Sequence, residues 1–318
     1  MSDIDELIGF IRKEFNHSLK SFPLPKYPKY LYDPIRFALE GTGKRFRPIL
    51  AHLSGRAFKT DPDTIMKISL AVELLHCFTL IHDDIMDSDD IRRNRPAVHK
   101  KYDISSAILA GDGIFTISQL ILNGLGQNQA IILQPFNETV LEICEGQALD
   151  KYFENKKDIS LSDYIEMVEK KTGALLGSCC SLPAILAGKP SIIIEGLKKV
   201  GSDVGIAFQI QDDLLEIFSE EKIVGKSLGS DIFSNKKTAI AIEAKNNFKP
   251  DWEKMIAQFD GENLGDIRKF LIENKIKDKV AFLADSYFNS AYDTLISLGL
   301  GNQSELYKFL KIIEGRRS

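Results

Sequence analysis

Cysteine is scarce and unpatterned in this 318-residue chain: Cys77, Cys144, Cys179 and Cys180 lie in apolar stretches, with no C-x-x-C spacing. That excludes a cysteine zinc site and a dithiol motif, and fits reduced core thiols in a cytoplasmic protein. Neither sign of charge dominates, since 41 Lys and Arg face 45 Asp and Glu for a net charge of −4. Nucleic acid and anionic membranes are therefore not the expected partners. The N-terminus, MSDIDELIGFIRKEF, is acidic and then amphipathic, without the basic and apolar regions of a secretory signal. No apolar run reaches membrane-spanning length, so no transmembrane segment is expected. Strand-type alternation, low-complexity tracts and long biased linkers are lacking as well.

What remains is a 44% hydrophobic chain whose apolar residues recur every three or four positions. This periodicity predicts an all-α, single-domain helical bundle spanning residues 1–318. Helices are expected over 3–21, 34–39, from Pro48 to about Phe58, and from Pro62, capped by Asp61, to about Asp87. Further helices are expected over 104–125, 130–154, 161–187, 191–218 and 236–245, with several more ending at Glu314. GTGKRFRP (41–48) breaks the pattern, and SDDIRRNRPAVHKKY (88–102) is too charged to pack inside.

The segment IMKISLAVELLHCFTLIHDDIMD (65–87) is apolar on every face of a helical projection, as in a buried helix, and ends in acid. Asp83 and Asp87 share one helix face with Cβ atoms about 6 Å apart, and Asp84 flanks them. Such a like-charge pair costs about 3 kcal/mol at an effective dielectric near 20, which a cation relieves. All-carboxylate ligands, with no Cys or second His, favour Mg2+ over Zn2+. Acid at a helix end can also be merely solvated, but a second copy argues against that. VGIAFQIQDDLLEIF (204–218) again runs from an apolar helix into Asp212, Asp213 and, four residues after Asp212, Glu216. Two such helices can face each other across a bundle and form a pocket for Mg2+ and a polyanion such as a diphosphate. Lys44 with Arg47, Arg92 with Arg93, and Lys226 with Lys236 supply cations in or beside breaks near the acidic motifs. Glu73 and His76 make one Glu-x-x-His, which raises a di-iron bundle; no second copy exists, so that reading fails.

In order along the chain, GTGKRFRP, ELLHCFTLIHDDIMD, RRNRPAVH, GDGIF, EGQALD, KKTGALL, FQIQDDLLEIF and GKSLGSDIFSNKKT resemble the trans-isoprenyl diphosphate synthases, the polyprenyl synthetase family. The resemblance implies an isoprenoid synthase helical bundle around a deep central cavity, a homodimer, and three Mg2+ ions. It also implies condensation of isopentenyl diphosphate with an allylic diphosphate (dimethylallyl, geranyl or farnesyl) by ionisation, condensation and elimination. By position, Asp83, Asp87 and Asp212 would ligate Mg2+, with Asp84, Asp213 and Glu216 supporting them or binding through water. Glu216 departs from the aspartate many members carry, so direct coordination there is less secure. Lys44, Arg47, His76 and Arg93 would clamp isopentenyl diphosphate, and Arg92, Lys171, Lys226 and Lys236 the allylic diphosphate. Thr172 and Gln209 would turn oxygens towards the allylic carbon, and Asp231 would orient neighbouring lysines.

Phe78 and Thr79 lie about 7.5 and 6 Å before Asp83 along a helix axis, so Phe78 is the expected floor of the chain-binding pocket. In such a family this predicts geranylgeranyl diphosphate as main product, with farnesyl diphosphate the alternative. A terpene cyclase would not need the cation sites, and a non-catalytic regulatory subunit would not keep both acid motifs whole.

Overall fold

A computed structural model of the chain describes residues 3–41, 43–219, 236–259 and 264–315. Of the residues singled out above, Lys226 and Asp231 lie outside the described residues. The fourteen α-helices among the described residues bear out the all-α expectation. In chain order, α1 spans Asp3–Lys20, α2 Lys29–Leu39, α3 Phe46–Ala57, α4 Pro62–Met86, α5 Val98–Lys101, α6 Ile104–Asn123 and α7 Gln129–Glu154. They are followed by α8 Leu161–Val168, α9 Ala174–Leu186, α10 Ser191–Phe218, α11 Ala239–Ala257, α12 Gly265–Glu273, α13 Ile276–Ser297 and α14 Glu305–Glu314. The chain divides into two compact units, one formed by Met1–Val140, Ser178–Glu195 and Ser304–Leu306, the other by Leu141–Gly177, Gly196–Gln303 and Tyr307–Ser318.

The first unit is built on α4. Asp61 accepts from the Thr64 N–H at 2.9 Å and Pro62 opens the helix, as the sequence predicts. Apolar residues on every side of α4 then enter the interior, including Ile65, Ile68, Leu70, Val72, Leu74, Leu75 and Ile81. One core cluster joins Leu70, Leu74 and Ile81 to Phe15 and Leu19 of α1, Ile35 of α2, and Ala107, Ala110 and Ile114 of α6. Gly55 of α3 makes room for Ile65: a Cβ there would collide with the Ile65 side chain.

In this first unit three expectations shift. Helix α2 begins at Lys29, before the predicted start, because Pro28 is held in extended backbone (φ −74°, ψ 139°) and acts as N-cap; Pro34 then lies within the helix. The charged stretch after α4 is not wholly excluded from the interior. It folds into a hairpin of Ile91–Arg92 and Arg95–Pro96, and Ala97 and Val98 behind it are buried. Its turn residues, Arg93 and Asn94, have φ of 53° and 60°, as a two-residue hairpin turn with matching twist demands. Finally, α4 and α6 are long and apolar enough, by length and composition alone, to cross a membrane. Isolated polar residues such as Glu73 and His76 interrupt the apolar stretch of α4 in the sequence. More than half of the apolar window of α4 is buried within the protein, but only a third of that of α6.

In the second unit, backbones meet at glycines. A Cβ on Gly205 of α10 would lie 2.6 Å from the Gly173 Cα, and one on Gly201 would overlap the Leu176 carbonyl. Between α8 and α9, residues Glu169–Gly173 widen into a single π-helical turn, a feature that often marks functional sites. A core of Phe153, Tyr164, Val168, Ile206, Ile210, Ile217, Ile240, Trp252, Leu271 and Val280 joins α7, α8, α10, α11, α12 and α13. Helix α11 extends well past the predicted residue 245, with a kink at Phe248 (φ −140°, ψ 42°) two residues before Pro250. Cys179 and Cys180 are buried as expected, whereas Cys144 is exposed, a correction to the reading of all four as core thiols.

Candidate active site

In the first unit a cavity of about 80 Å3 opens between α2, α4 and the hairpin, lined among others by Gly41, Arg45, Glu73, His76, Asp84, Arg92 and Arg93. Its basic wall comes from two irregular segments, because helices cannot easily stack so many cations side by side. The first is the loop 41–45. Its register is fixed by Arg45, which adopts the left-handed conformation (φ 55°) immediately before α3. The Arg45 guanidinium is almost fully enclosed. It bonds Glu73 Oε1 at 2.5 Å, Asn16 Oδ1 at 3.0 Å and the Gly41 carbonyl at 2.8 Å, over the Phe15 ring. Lys44 and Arg47 flank this anchor in sequence. The second segment is the hairpin, whose turn residue Arg93 approaches Gly43 so closely that a Cβ there would stand 3.0 Å from Nη1.

Arg47 Nη1 lies 3.2 Å from His76 Nε2. Guanidinium only donates, so Nε2 accepts and the His76 proton resides on Nδ1. Burial first, then the charges of Arg47, Arg93, Arg92 and Arg45, push the His76 pKa well below its usual 6.5. The imidazole is thus a neutral member of a cationic cluster. Four of the expected diphosphate contacts, Arg47, His76, Arg92 and Arg93, are gathered in this unit, with Lys44 exposed on the adjoining loop.

The two acid motifs share an unexpected division. In the first, Asp83 and Asp87 are half-buried while Asp84 is 2% exposed, and Arg92 Nε donates to Asp84 Oδ1 at 2.7 Å. Burial raises the Asp84 pKa, and the bond to Arg92 opposes that. In the second, Asp212 and Glu216 are half-buried while Asp213 is 5% exposed. Asp213 accepts from Tyr164 Oη at 2.6 Å, Gln209 Nε2 at 3.1 Å and the Ala239 N–H at 3.3 Å. The middle aspartate of each triplet therefore faces inward. Among the described residues, no three His, Cys, Asp or Glu side chains converge closely enough to enclose an ion by themselves.

Thr172 lies in the π-turn, with its backbone against Gly205 and its Oγ1 3.5 Å from Gln209 Oε1. Lys171 bonds Asp150 Oδ2 at 2.5 Å. Lys236 lines a separate cleft of about 310 Å3 with Lys157, Lys237, Lys245 and Trp252. Phe78 packs on α4 against Phe115 of α6, with ring centres 5.4 Å apart, and against His82 at 4.7 Å. Read singly, Arg45, Glu73, Asp150 and Tyr164 carry no assigned role in the site, Glu73 entering only through the rejected di-iron pair. The first three lie inside quoted motifs, so GTGKRFRP, ELLH and EGQALD held the signal; Tyr164 lies in none of them.

An all-α chain that ends two core helices in spaced carboxylates, and surrounds a neutral imidazole with arginines, defines a class of protein built for polyanionic ligands. The Polyprenyl synthetase family model matches residues 28–272, across both units, and the chain belongs to that family, as a trans-prenyltransferase. It is 41% identical over 220 residues to a geranylgeranyl diphosphate synthase of Methanosarcina mazei, covering 68% of each chain. To a geranylfarnesyl diphosphate synthase of Natronomonas pharaonis it is 39% identical over 255 residues, covering 74% of this chain and 75% of that one. Among solved structures, a geranylgeranyl pyrophosphate synthetase from Pyrococcus horikoshii superimposes with a TM-score of 0.89 at 31% identity, over 99% of this chain and 100% of the other. The fold is thus the isoprenoid synthase bundle that the sequence motifs predicted.

Proposed function

We propose that the chain condenses isopentenyl diphosphate with an allylic diphosphate and releases geranylgeranyl diphosphate as its main product. The carrying observation is the gathering of Arg47, His76, Arg92 and Arg93 in the first unit, the last three lining one cavity, a cationic cluster suited to a polyanion. Relatives at 41% and 40% identity that are geranylgeranyl synthases favour that product over farnesyl diphosphate. Phe78, backed by Phe115, is the proposed floor of the chain-binding pocket.

Asp83, Asp87, Asp212 and Glu216, the half-buried members of the acid motifs, fit Mg2+, an ion commonly held by one or two carboxylates plus substrate phosphates. They would hold three ions together with the allylic diphosphate, while Asp84 and Asp213 support them from within. When bound, Mg2+ supplies Lewis-acid withdrawal of charge from the departing diphosphate.

Lys44, Arg47, His76 and Arg93 bind isopentenyl diphosphate in this reading, the neutral His76 donating from Nδ1 and the arginines supplying charge. Arg92, Lys171 and Lys236 hold the allylic diphosphate; Lys226 and Asp231 belong to the same proposed set. Thr172 and Gln209 offer oxygens to the allylic cation, which a neutral dipole stabilises without capturing it covalently. The isopentenyl double bond attacks that cation, and the released diphosphate takes the proton lost on elimination.

The chain acts as one polyprenyl synthetase domain over 1–318, and as a homodimer. Dimerisation is supported by the exposed apolar residues Ile104, Ile108, Leu109 and Leu120 of α6. A cytoplasmic location belongs to the same proposal, and more than half of the apolar window of α4 is buried within the protein. Incubating the purified chain with isopentenyl diphosphate, farnesyl diphosphate and Mg2+ tests the proposal. A C20 product from wild type, and none from Asp83→Ala, is expected. No product from wild type would indicate a regulatory subunit instead, and full activity in Asp83→Ala would refute the metal assignment.

A further inference from the structure

We propose that Asp213 is a positioning residue, locked by Tyr164, that turns the Gln209 amide so that its oxygen rather than its NH2 faces the reacting carbon. The inference rests on the reading of Gln209 as a contact of the allylic cation. Gln209 and Asp213 lie on one face of α10, four residues apart, and Gln209 Nε2 donates to Asp213 Oδ1 at 3.1 Å. A carboxylate only accepts, so the NH2 is committed to Asp213 and Oε1 points away from it. That oxygen sits 3.5 Å from the Thr172 hydroxyl, the other oxygen assigned to the allylic carbon.

The carboxylate itself is held from the opposite side. Asp213 Oδ2 accepts from Tyr164 Oη at 2.6 Å and from the N–H of Ala239, the first residue of α11, at 3.3 Å. Tyr164 and Asp213 are 2% and 5% exposed, so neither side chain can turn without leaving a buried polar group unpaired. Three helices thus fix the rotation of one amide. With the amide flipped, the positive end of its dipole would meet a carbocation. As held, the negative end does, with the Asp213 charge behind it, in a geometry set before reaction. Asp213 differs in this from Asp212 and Glu216, which are half-buried on the same helix.

The test compares the full-length Asp213→Asn and Tyr164→Phe variants with wild type and with Asp212→Asn. The expected result is a kcat lower by about 100-fold for Asp213→Asn and a smaller loss for Tyr164→Phe, with the Mg2+ concentration for half-maximal rate unchanged in both. Asp212→Asn should raise that concentration. A second readout needs no turnover: binding of an allylic diphosphate analogue with an ammonium in place of the reacting carbon, measured against its neutral carbon isostere. Wild type should prefer the ammonium, and Asp213→Asn should lose that preference while binding the isostere as before. An Asp213→Asn variant that keeps the preference but needs more Mg2+ would overturn the proposal and make Asp213 a metal ligand. If Asp213→Asn does not fold, Tyr164→Phe, which lacks one hydroxyl, decides: unchanged kcat and preference would overturn it. A wild-type chain without turnover would instead sink the underlying reading of function.

Discussion

Glu73→Gln tests whether the loop that presents Lys44 and Arg47 is held from beneath. Arg45 and Glu73 have side chains only 8% exposed and meet at 2.5 Å, so removing one charge leaves the other in an interior with little water. At an effective dielectric of about 20, unit charges 4 Å apart attract by about 4 kcal/mol. Breaking a buried pair from one side costs about 3–5 kcal/mol. Gln retains a carbonyl acceptor for Arg45, and Asn16 and Gly41 still accept from it, so the low end, about 3 kcal/mol, applies. For a chain of this size each kcal/mol lowers Tm by about 2 °C, giving a drop of about 6 °C by calorimetry. Freed from its anchor, the loop should bind diphosphate less well, so KM for isopentenyl diphosphate should rise more than KM for the allylic substrate. Replacing both partners, as Arg45→Met with Glu73→Leu, should recover much of the stability but not the low KM. A Glu73→Gln protein with wild-type Tm and KM would refute the reasoning.

Three further outcomes follow from the same geometry. Phe78→Ala opens the space beside Phe115, and product analysis should show chains beyond C20; an unchanged length would remove Phe78 as the floor. Gly201→Ala forces a methyl into the Leu176 carbonyl, where backbone lies on both sides, and should destabilise by about 1–3 kcal/mol in a urea melt. His76 has a pKa below its unfolded value of 6.5, so below that pH the unfolded chain takes up a proton that the folded one refuses. Stability is therefore retained above about pH 6.5 and lost below it, by up to about 1.4 kcal/mol per pH unit. His76→Gln should accordingly lose less Tm than wild type between about pH 6.5 and 5.

Much of the molecule was legible in the chain alone, because helices are local objects. The Asp61–Pro62 start, the all-round apolarity of 65–81 and the four-residue spacing of the carboxylates each report on neighbours within a turn or two, and each appears in the structure as read. So do the order and chemistry of the motifs that carry the family. What the chain did not disclose is which way adjacent, chemically identical residues turn. Asp83 and Asp84 are about 100° apart around a helix of 3.6 residues per turn, but only the neighbouring elements decide which arc is interior. Arg92, brought back by the hairpin, takes Asp84; Tyr164, from a helix 49 positions away in sequence, takes Asp213. Arg45 looks in sequence like one more cation of a basic cluster, and only its contact with Glu73, 28 residues on, makes it an anchor. Spacing determined where the carboxylates and cations stand along the helices. Tertiary packing decided which of them remain half-exposed and which hold the others still.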